Sequence, residues 1–415
     1  MTTESISKRK YMPTLFEITI VTLFILISDD TLMFGTNNNS LFILVKYIYI
    51  FSATVTLLIK YLLKTQLMPQ NEFLTIGMMA VLIFISMVLN NDIRIGYFYK
   101  IVLILYAWLI LKNIGLYKFI NIFNHVMLVL ASISIIGFFS VCVNFSVLSL
   151  SHTIVNTAGT QFYDLFLFVS PKSFYSDYVR NYGIFREPGV YQMYLVLGML
   201  FQHFMITKKR MFWYVIYTIA IVTTMSTTGY IALALFIVVV IVDGNGLTTN
   251  QKVIFSLLII VGFIFIVKKT SILSLSQDDK YNSVFGKLAS KKRGTSVSRF
   301  ASITENIRIM ITNPIFGVGL QKLSDLFPIY TLNNYGVRSE HNTNTILIQF
   351  STHGFIYGIT WLRLLLRSTK IFSSKLYVLI FFILIIIFSG ENLTFSGFSS
   401  LIIMMSFEKS NELEV

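Results

Sequence analysis

Two short stretches of an otherwise apolar chain gather the groups that could bind an anion and act on it. The first is Arg180-Asn181-Tyr182-Gly183-Ile184-Phe185-Arg186-Glu187-Pro188-Gly189, directly ahead of an apolar run. Two planar, permanently charged guanidiniums bracket a Gly-containing turn there, and such forks suit phosphate oxygens better than lysine does. A helix opening at Pro188 adds its N-terminal amides as a further anion site. Glu187 followed by Pro188 is equally an ordinary helix start, with proline in the first turn and a carboxylate complementing the dipole. The second stretch lies between Ser298 and Asn342. It reads Ser298-Arg299-Phe300, then Asn313-Pro314-Ile315-Phe316-Gly317-Val318-Gly319-Leu320, then Arg338-Ser339-Glu340-His341-Asn342.

In that second stretch His341 shares a loop with Arg299 and Arg338, and Glu340 is placed to orient it. With a solution pKa of about 6.5, a neutral imidazole can take a proton from a sugar hydroxyl as a pyrophosphate leaves. The plainer reading is a histidine at a helix start, with Asn342 and Thr343 as caps. Asn313-Pro314 with Gly317 and Gly319 reads as turns that bring backbone close to something. Arg299 precedes a short amphipathic helix expected over Ile303–Ile311. Ser226-Thr227-Thr228-Gly229-Tyr230 reads as a tight turn whose hydroxyls cap the next helix.

The remaining candidates carry less. His125, His152, His203 and His353 are scattered, and His353 and Arg363 fall in or at the end of an apolar run. Polar groups in such a run merit attention, but no role is assigned to them. Cys142, the single cysteine, lies in an apolar run and reads as a buried structural residue without disulfide or metal. Asp278-Asp279 reads as loop solvation. No GxSxG, Walker loop, HExxH or Asp-rich metal motif occurs, so neither a metal nor a cofactor is expected.

These groups must be positioned by helices in a bilayer. Of 415 residues 55% are hydrophobic and only 13% charged, with mean hydropathy +0.73. The missing charge separates the chain from soluble domains. Apolar runs long enough to cross a hydrocarbon core of about 30 Å recur throughout, so the chain reads as an all-α polytopic membrane protein. Short alternating segments that would mark a β-barrel are absent. The net charge of +14 does not point to nucleic acid, because the basic residues cluster at the ends of apolar runs.

About twelve spans are expected, over 12–28, 41–59, 72–90, 96–111, 120–143, 189–206, 211–226, 228–242, 253–267, 343–362, 376–389 and 392–407. Lys8-Arg9-Lys10, Lys60 and Lys64, Lys112 and Lys118, Lys208-Lys209-Arg210, and Arg363 with Arg367, Lys370 and Lys375 then share one side. The positive-inside rule makes that side, and both termini, cytoplasmic. The first apolar run reads as a retained helix rather than a cleaved signal. The chain is expected to form a single integral membrane domain, 1–415. Two large loops, 144–188 and 268–342, fall on the opposite, periplasmic side. The second is basic, but long loops translocate regardless of charge. Lys291-Lys292-Arg293 reads as solvated loop, Arg299 and Arg338 as substrate contacts. No internal repeat with matching broken helices is visible, which weighs against a secondary transporter.

The ordered set is more specific than its parts. It runs from Arg-x-x-Gly-x-Phe-x-Glu-Pro before a helix to Thr-Gly opening a later one. A long outer loop with Ser-Arg-Phe and Asn-Pro-Ile-Phe-Gly-Val-Gly-Leu then ends in His-Asn. This order resembles the O-antigen polymerase (Wzy) and O-antigen ligase superfamily, with motifs confined to about 180–230 and 298–358. The resemblance implies a fold like the C-type membrane glycosyltransferases and a location in the bacterial inner membrane. It implies a metal-independent glycosyltransferase whose donor is an undecaprenyl-diphosphate-linked oligosaccharide. Membrane lipids, a chain-length regulator and a flippase are the other expected partners, and nucleic acid is not. Arg180, Arg186 and Arg299 then hold the diphosphate, with Arg338 as a further cation of the loop. His341 resembles the residue proposed to activate the acceptor in ligases, with Glu187, Glu340 and Asn342 in support. The leading expectation is a polymerase of O-antigen or capsular repeat units. The alternatives are a ligase acting on lipid A-core and, from another class, a flippase for lipid-linked oligosaccharide.

Overall fold

The helix Ser40–Leu63 (α2) exposes Leu41, Leu44, Ile48, Phe51, Val55, Ile59 and Leu62, three or four residues apart, along one apolar stripe. Its other face buries Lys46, Ile50, Ala53, Leu57 and Tyr61. An apolar stripe of that length left uncovered requires lipid rather than water beside it. The molecule is a mostly helical membrane protein. The computed structural model describes residues 12–64, 68–143, 148, 151–165, 167–172, 179–206, 210–243, 248, 250, 253, 257, 294–336 and 338–408.

Among the described residues helices lie over eleven of the expected spans, the ninth being almost wholly outside those residues. They are α1 (Leu15–Leu26), α2, α3 (Gln70–Leu89), α4 (Ile95–Ile114), α5 (Leu116–Val143), α6 (Pro188–Phe204), α7 (Arg210–Thr223) and α8 (Thr227–Asp243). They continue with α11 (Thr345–His353) and α12 (Phe355–Thr369) over the tenth span, then α13 (Tyr377–Gly390) and α14 (Gly397–Met404). Among the described residues, only α2, α3, α4 and α5 are by themselves long and apolar enough to cross a membrane. The 12 residues of α1 rise only about 18 Å. Apart from Val253 and Leu257, the ninth expected span lies outside the described residues, as do Lys8-Arg9-Lys10, Lys208-Lys209, Asp278-Asp279 and Lys291-Lys292-Arg293.

Local chemistry sets several of these ends. Thr14 and Glu17 form a reciprocal capping box at α1: the Glu17 amide donates to Thr14 Oγ1, and the Thr14 amide to the Glu17 carboxylate. The helix α6 is buried on all sides from Pro188 to His203 and forms the centre of the bundle. Phe185, Tyr194, Phe398 and Phe123 pack around its first turns, with ring centroids 4.5–4.8 Å apart along the series. The first long loop holds a three-stranded antiparallel sheet in the order β1 (His152–Val155), β2 (Gln161–Asp164) and β3 (Val169–Pro171). It is tied to the start of α6, where the Val169 amide donates to the Gly183 carbonyl at 2.7 Å.

In the second long loop the described part is helical: α9 (Gly294–Thr312) and α10 (Gly319–Tyr335). Arg299 therefore lies within α9 rather than ahead of the helix expected at Ile303–Ile311, because that helix begins nine residues earlier, at Gly294. The turn between α9 and α10 docks into a break at Gly354 between α11 and α12. Val318 N donates to Ser351 O at 2.9 Å, and Phe355 N to Pro314 O at 2.6 Å. A Cβ on Gly317 would meet Ser351 O at 2.5 Å, and one on Gly354 would meet Ile315 O at 2.0 Å.

Three further expectations change. The tenth span does not end near residue 362. The break at Gly354 restarts the helix, which continues to Thr369 and carries Arg363 and Arg367. The cap of α11 is Asn344, whose side chain accepts from Leu347 N at 3.0 Å, and not Asn342 or Thr343. Cys142 is exposed, near the end of α5, and not the buried residue expected.

Candidate active site

The loops expected on one side of the membrane meet at the start of α6. Glu187 is the N-cap in extended backbone, with Pro188 in the first helical turn. Its side chain makes no capping bond there and instead meets the carboxyl of Glu391. Asp30, from the segment after α1, accepts from Tyr194 Oη at 2.7 Å and from Ser396 Oγ, and its carbonyl accepts from Arg186 N at 3.0 Å. Thr31 and Phe185 form an antiparallel bridge beside it. The segment bearing Arg186 is thus fixed on both sides before its side chain is considered.

Arg186 donates through Nη2 to the carbonyl of Asn392, while its Nε is buried with no partner among the described residues. Arg299 reaches over from α9 and donates to Thr227 Oγ1, at the start of α8, at 3.0 Å. Both guanidiniums act electrostatically on Glu391, which is only 5% exposed. Burial, and then the neighbouring Glu187 carboxyl, push Glu391 well above the usual carboxylate range, against the pull of Arg299 and Arg186. Burial likewise raises Asp30, with Arg186 the strongest opposing influence.

Arg180 lies on the other side of the same turn. Its Nε donates to Thr224 O at 3.1 Å and its Nη2 to Met225 O at 3.3 Å, satisfying carbonyls at the end of α7. Met225 turns the chain with φ 52°, and Ser226 Oγ then accepts from Gly229 N at 3.4 Å to open α8. The Ser-Thr-Thr-Gly turn is therefore the cap expected of it and also the ledge on which Arg299 rests, with Arg180 bonded just ahead of it. Asn181 anchors the arginine turn to α7 and α5 by donating to Thr223 Oγ1 at 2.9 Å and Ser134 Oγ at 3.1 Å.

His341 is exposed, and its carbonyl accepts from Ser302 Oγ at 3.4 Å, one turn along α9 from Arg299. Asn342 forms a two-way amide pair with Asn306 of α9, at 2.8 and 3.1 Å. Thr345 Oγ1 donates to the carbonyl of Glu391, so the segment from His341 to Thr345 runs from α9 to the carboxyl cluster. Glu340 is turned to Arg338 at 3.8 Å instead of to His341. That pair is 70% and 73% exposed, a rim contact screened by solvent.

A cleft of about 1040 Å³ adjoins this cluster. Asn342, Asn392, Arg94, Arg338 and Glu340 are among the polar residues that line it. Leu323, Phe327, Pro328, Leu332 and Phe395 give it apolar walls. Its position depends on α10, which Asp92 and Tyr97 hold: Gln321 N donates to Asp92 Oδ2 and Leu320 N to Tyr97 Oη, both at 2.8 Å. Among the described residues no group of three or more His, Cys, Asp or Glu is placed to hold a metal. The arrangement can bind a strongly anionic group between guanidiniums beside an apolar-walled cleft, with a histidine on the adjoining loop.

Sequence reading missed Glu391, Asp30 and Asn392. Gly390 to Asn392 looks like a short loop without positive charge. The available signal was a carboxylate at the mouth of an apolar run, where an ionisable group is costly and needs a partner.

Residues 212–356 match the family model described as O-Antigen ligase (Wzy_C), from α7 into α12, a stretch that includes Arg299, Arg338 and His341. That stretch belongs to the O-antigen polymerase and ligase family, whose members are glycosyltransferases working on lipid-linked glycans. Arg180, Arg186, Glu187 and Glu391 lie outside it. No curated protein matches the chain.

Proposed function

We propose that the protein polymerises polysaccharide repeat units at the periplasmic face of the bacterial inner membrane. It transfers the growing glycan from undecaprenyl diphosphate to the non-reducing end of a new lipid-linked unit. The observation that carries this reading is the meeting of Arg186 and Arg299, from distant parts of the chain, beside an apolar-walled cleft. A diphosphate on a lipid needs both features together.

In this reading the acceptor hydroxyl oxygen attacks the anomeric carbon of the donor, and the bond from that carbon to the diphosphate oxygen breaks. The lipid diphosphate leaves with the electron pair, and Arg186, Arg299 and Arg180 stabilise the charge as it develops. The hydroxyl proton passes to the His341 imidazole. Arg338 at the rim guides the anionic donor inward, and no metal takes part. Asn342, paired with Asn306, sets the loop that presents His341. In this reading the chain crosses the membrane about twelve times, with both termini in the cytoplasm and these loops in the periplasm, as the distribution of basic residues supports.

A ligase that moves finished glycan to lipid A-core is the second reading, favoured by the description of the matching family model. The same arginines serve both reactions. A flippase finds no support in a match to a glycosyltransferase family.

Surface-polysaccharide gels after deletion of the gene decide between them, with Arg299→Ala and His341→Ala variants returned to the deletion strain. Lipid A-core bearing a single repeat unit, unrescued by either variant, is the expected result. Bare lipid A-core with polymer stranded on its lipid carrier means a ligase. An unchanged long-chain ladder overturns both.

A further inference from the structure

Glu391 has no task in the reaction as derived, yet it stands between the two cations on which that reaction depends. Its place is fixed by three helices. A Cβ on Gly189 would lie 1.6 Å from Glu391 Oε1, so the carboxyl rests on the first turn of α6 and only glycine leaves room for it. Gly390, just before it, packs against Thr228 of α8, where an added Cβ would meet the threonine methyl at 2.8 Å. Thr345 of α11 donates to its carbonyl, and the next carbonyl, of Asn392, accepts from Arg186.

The charged groups facing it are Glu187 and Arg186, from the segment ahead of α6, and Arg299 from α9. Helices α8 and α11 bring the hydroxyls of Thr228 and Thr345, and Arg186 also acts on Asp30. The Glu187 and Glu391 side chains are hydrogen-bonded. Two carboxyls can share a hydrogen bond only if one carries a proton, so the pair presents one negative charge to two guanidiniums. Glu187 is exposed and Glu391 is not. One end of the pair is therefore open to solvent, and the other is held still. Arg186 Nε, buried and unpartnered among the described residues, is a donor that this internal anion leaves unused.

We propose that the Glu187–Glu391 pair is an internal stand-in for the donor's diphosphate: it positions Arg186 and Arg299 before the donor arrives, then takes up a proton from solvent when the diphosphate claims both guanidiniums. This rests on the lipid-diphosphate reading above. Glu391 is a positioning residue and touches no reacting atom.

The sign of the coupling follows. Withdrawing two cations from the pair favours its fully protonated form, so binding consumes a proton and lower pH tightens it. The test is binding of undecaprenyl diphosphate itself to the full chain in nanodiscs, across the acid-to-neutral range. In the wild type, affinity should rise by up to about tenfold per unit fall in pH. In Glu391→Gln, which keeps the shape but cannot titrate, binding should persist with that slope flattened. Glu187→Gln, on the exposed side and less prone to disturb folding, should flatten it too. A wild-type slope retained in both variants overturns the proposal while leaving the diphosphate reading intact. Absence of binding to the wild type, or binding indifferent to Arg186→Ala and Arg299→Ala, removes that reading and this inference together.

Discussion

Arg180 and Arg186 flank one turn and look alike in sequence, but they meet different neighbours. Arg180 spends two donors on the carbonyls ending α7, whereas Arg186 faces Glu391 and keeps Nε without a partner among the described residues. Lysine cannot reproduce a planar fork at such a site. Arg186→Lys and Arg299→Lys should each lower kcat for polymerisation by about 100-fold, the scale of removing one oriented donor from a developing anion. Measurement with purified lipid-linked repeat units checks this. Asp30 carries a separate prediction about stability. Burial raises its carboxyl, so the folded chain keeps that proton to higher pH than the unfolded one. The associated stability is present below the ordinary value of 3.8 and is lost as pH rises through the folded value. Asp30→Asn should remove that decline, seen as a flatter dependence of the melting temperature on pH. An undiminished slope in the variant would mean that other groups dominate. Local sequence could mark Asp30 and Glu391 as carboxylates at the mouths of apolar runs, but not the distant arginines that each of them faces.

At the scale of elements, the turn from Asn313 to Gly319 is the clearest case of a motif whose type was legible and whose target was not. Its glycines announce positive φ and close approach, and both Gly317 (φ 65°) and Gly319 (φ 78°) show it. Gly317 approaches the backbone break at Gly354, which no periodicity marks, whereas Gly319 lies against Tyr97 and Asn90. That docking joins α9 and α10 to the bundle and so holds Arg299 and the cleft wall in place. Gly354→Ala places a Cβ against Ile315 O at φ 85°. It should cost at least about 1–3 kcal/mol of local strain, lower the melting temperature in detergent and reduce polymer formation together. Normal stability with normal activity would show that the turn need not dock. The longer α9 has a similar lesson: a helix packed on α11 extends beyond the amphipathic stretch that single-sequence reading could justify.

At the scale of the molecule, basic residues at the ends of apolar runs also meet carboxylates. Lys112 pairs with Glu72 at 3.1 Å and Glu408 at 2.9 Å, and Lys118 with Glu17 at 3.1 Å. These pairs gather on the side read as cytoplasmic, while Asp30, Arg186, Arg299 and Glu391 gather on the other. Labelling tests that division directly. In a Cys142→Ser background, Lys322→Cys should react with an impermeant thiol reagent added outside the inner membrane, and Lys375→Cys should not. The reverse pattern would turn the site toward the cytoplasm and end the proposed periplasmic reaction. Lys100 belongs to this scale too. It is buried, donates to Gln349 Oε1 and lies 4.8 Å from the Tyr357 ring centroid, beside His353 at the helix break. A lone lysine within an apolar run gave no sign of which partners would surround it.

By itself the sequence determined the class of protein, the positions of most helices and the arginines and histidine worth testing. Those follow from one-dimensional quantities: apolar run length against bilayer thickness, basic residues at run ends, and turn residues at fixed offsets. The tertiary structure alone decided that Arg186 and Arg299 share Glu391, that Arg180 caps α7, that Glu340 turns to Arg338, and that a cleft opens beside Asn392. Electrostatic pairing depends on distance in space, and residues from five separate segments converge on the start of α6. No spacing along the chain encodes that convergence.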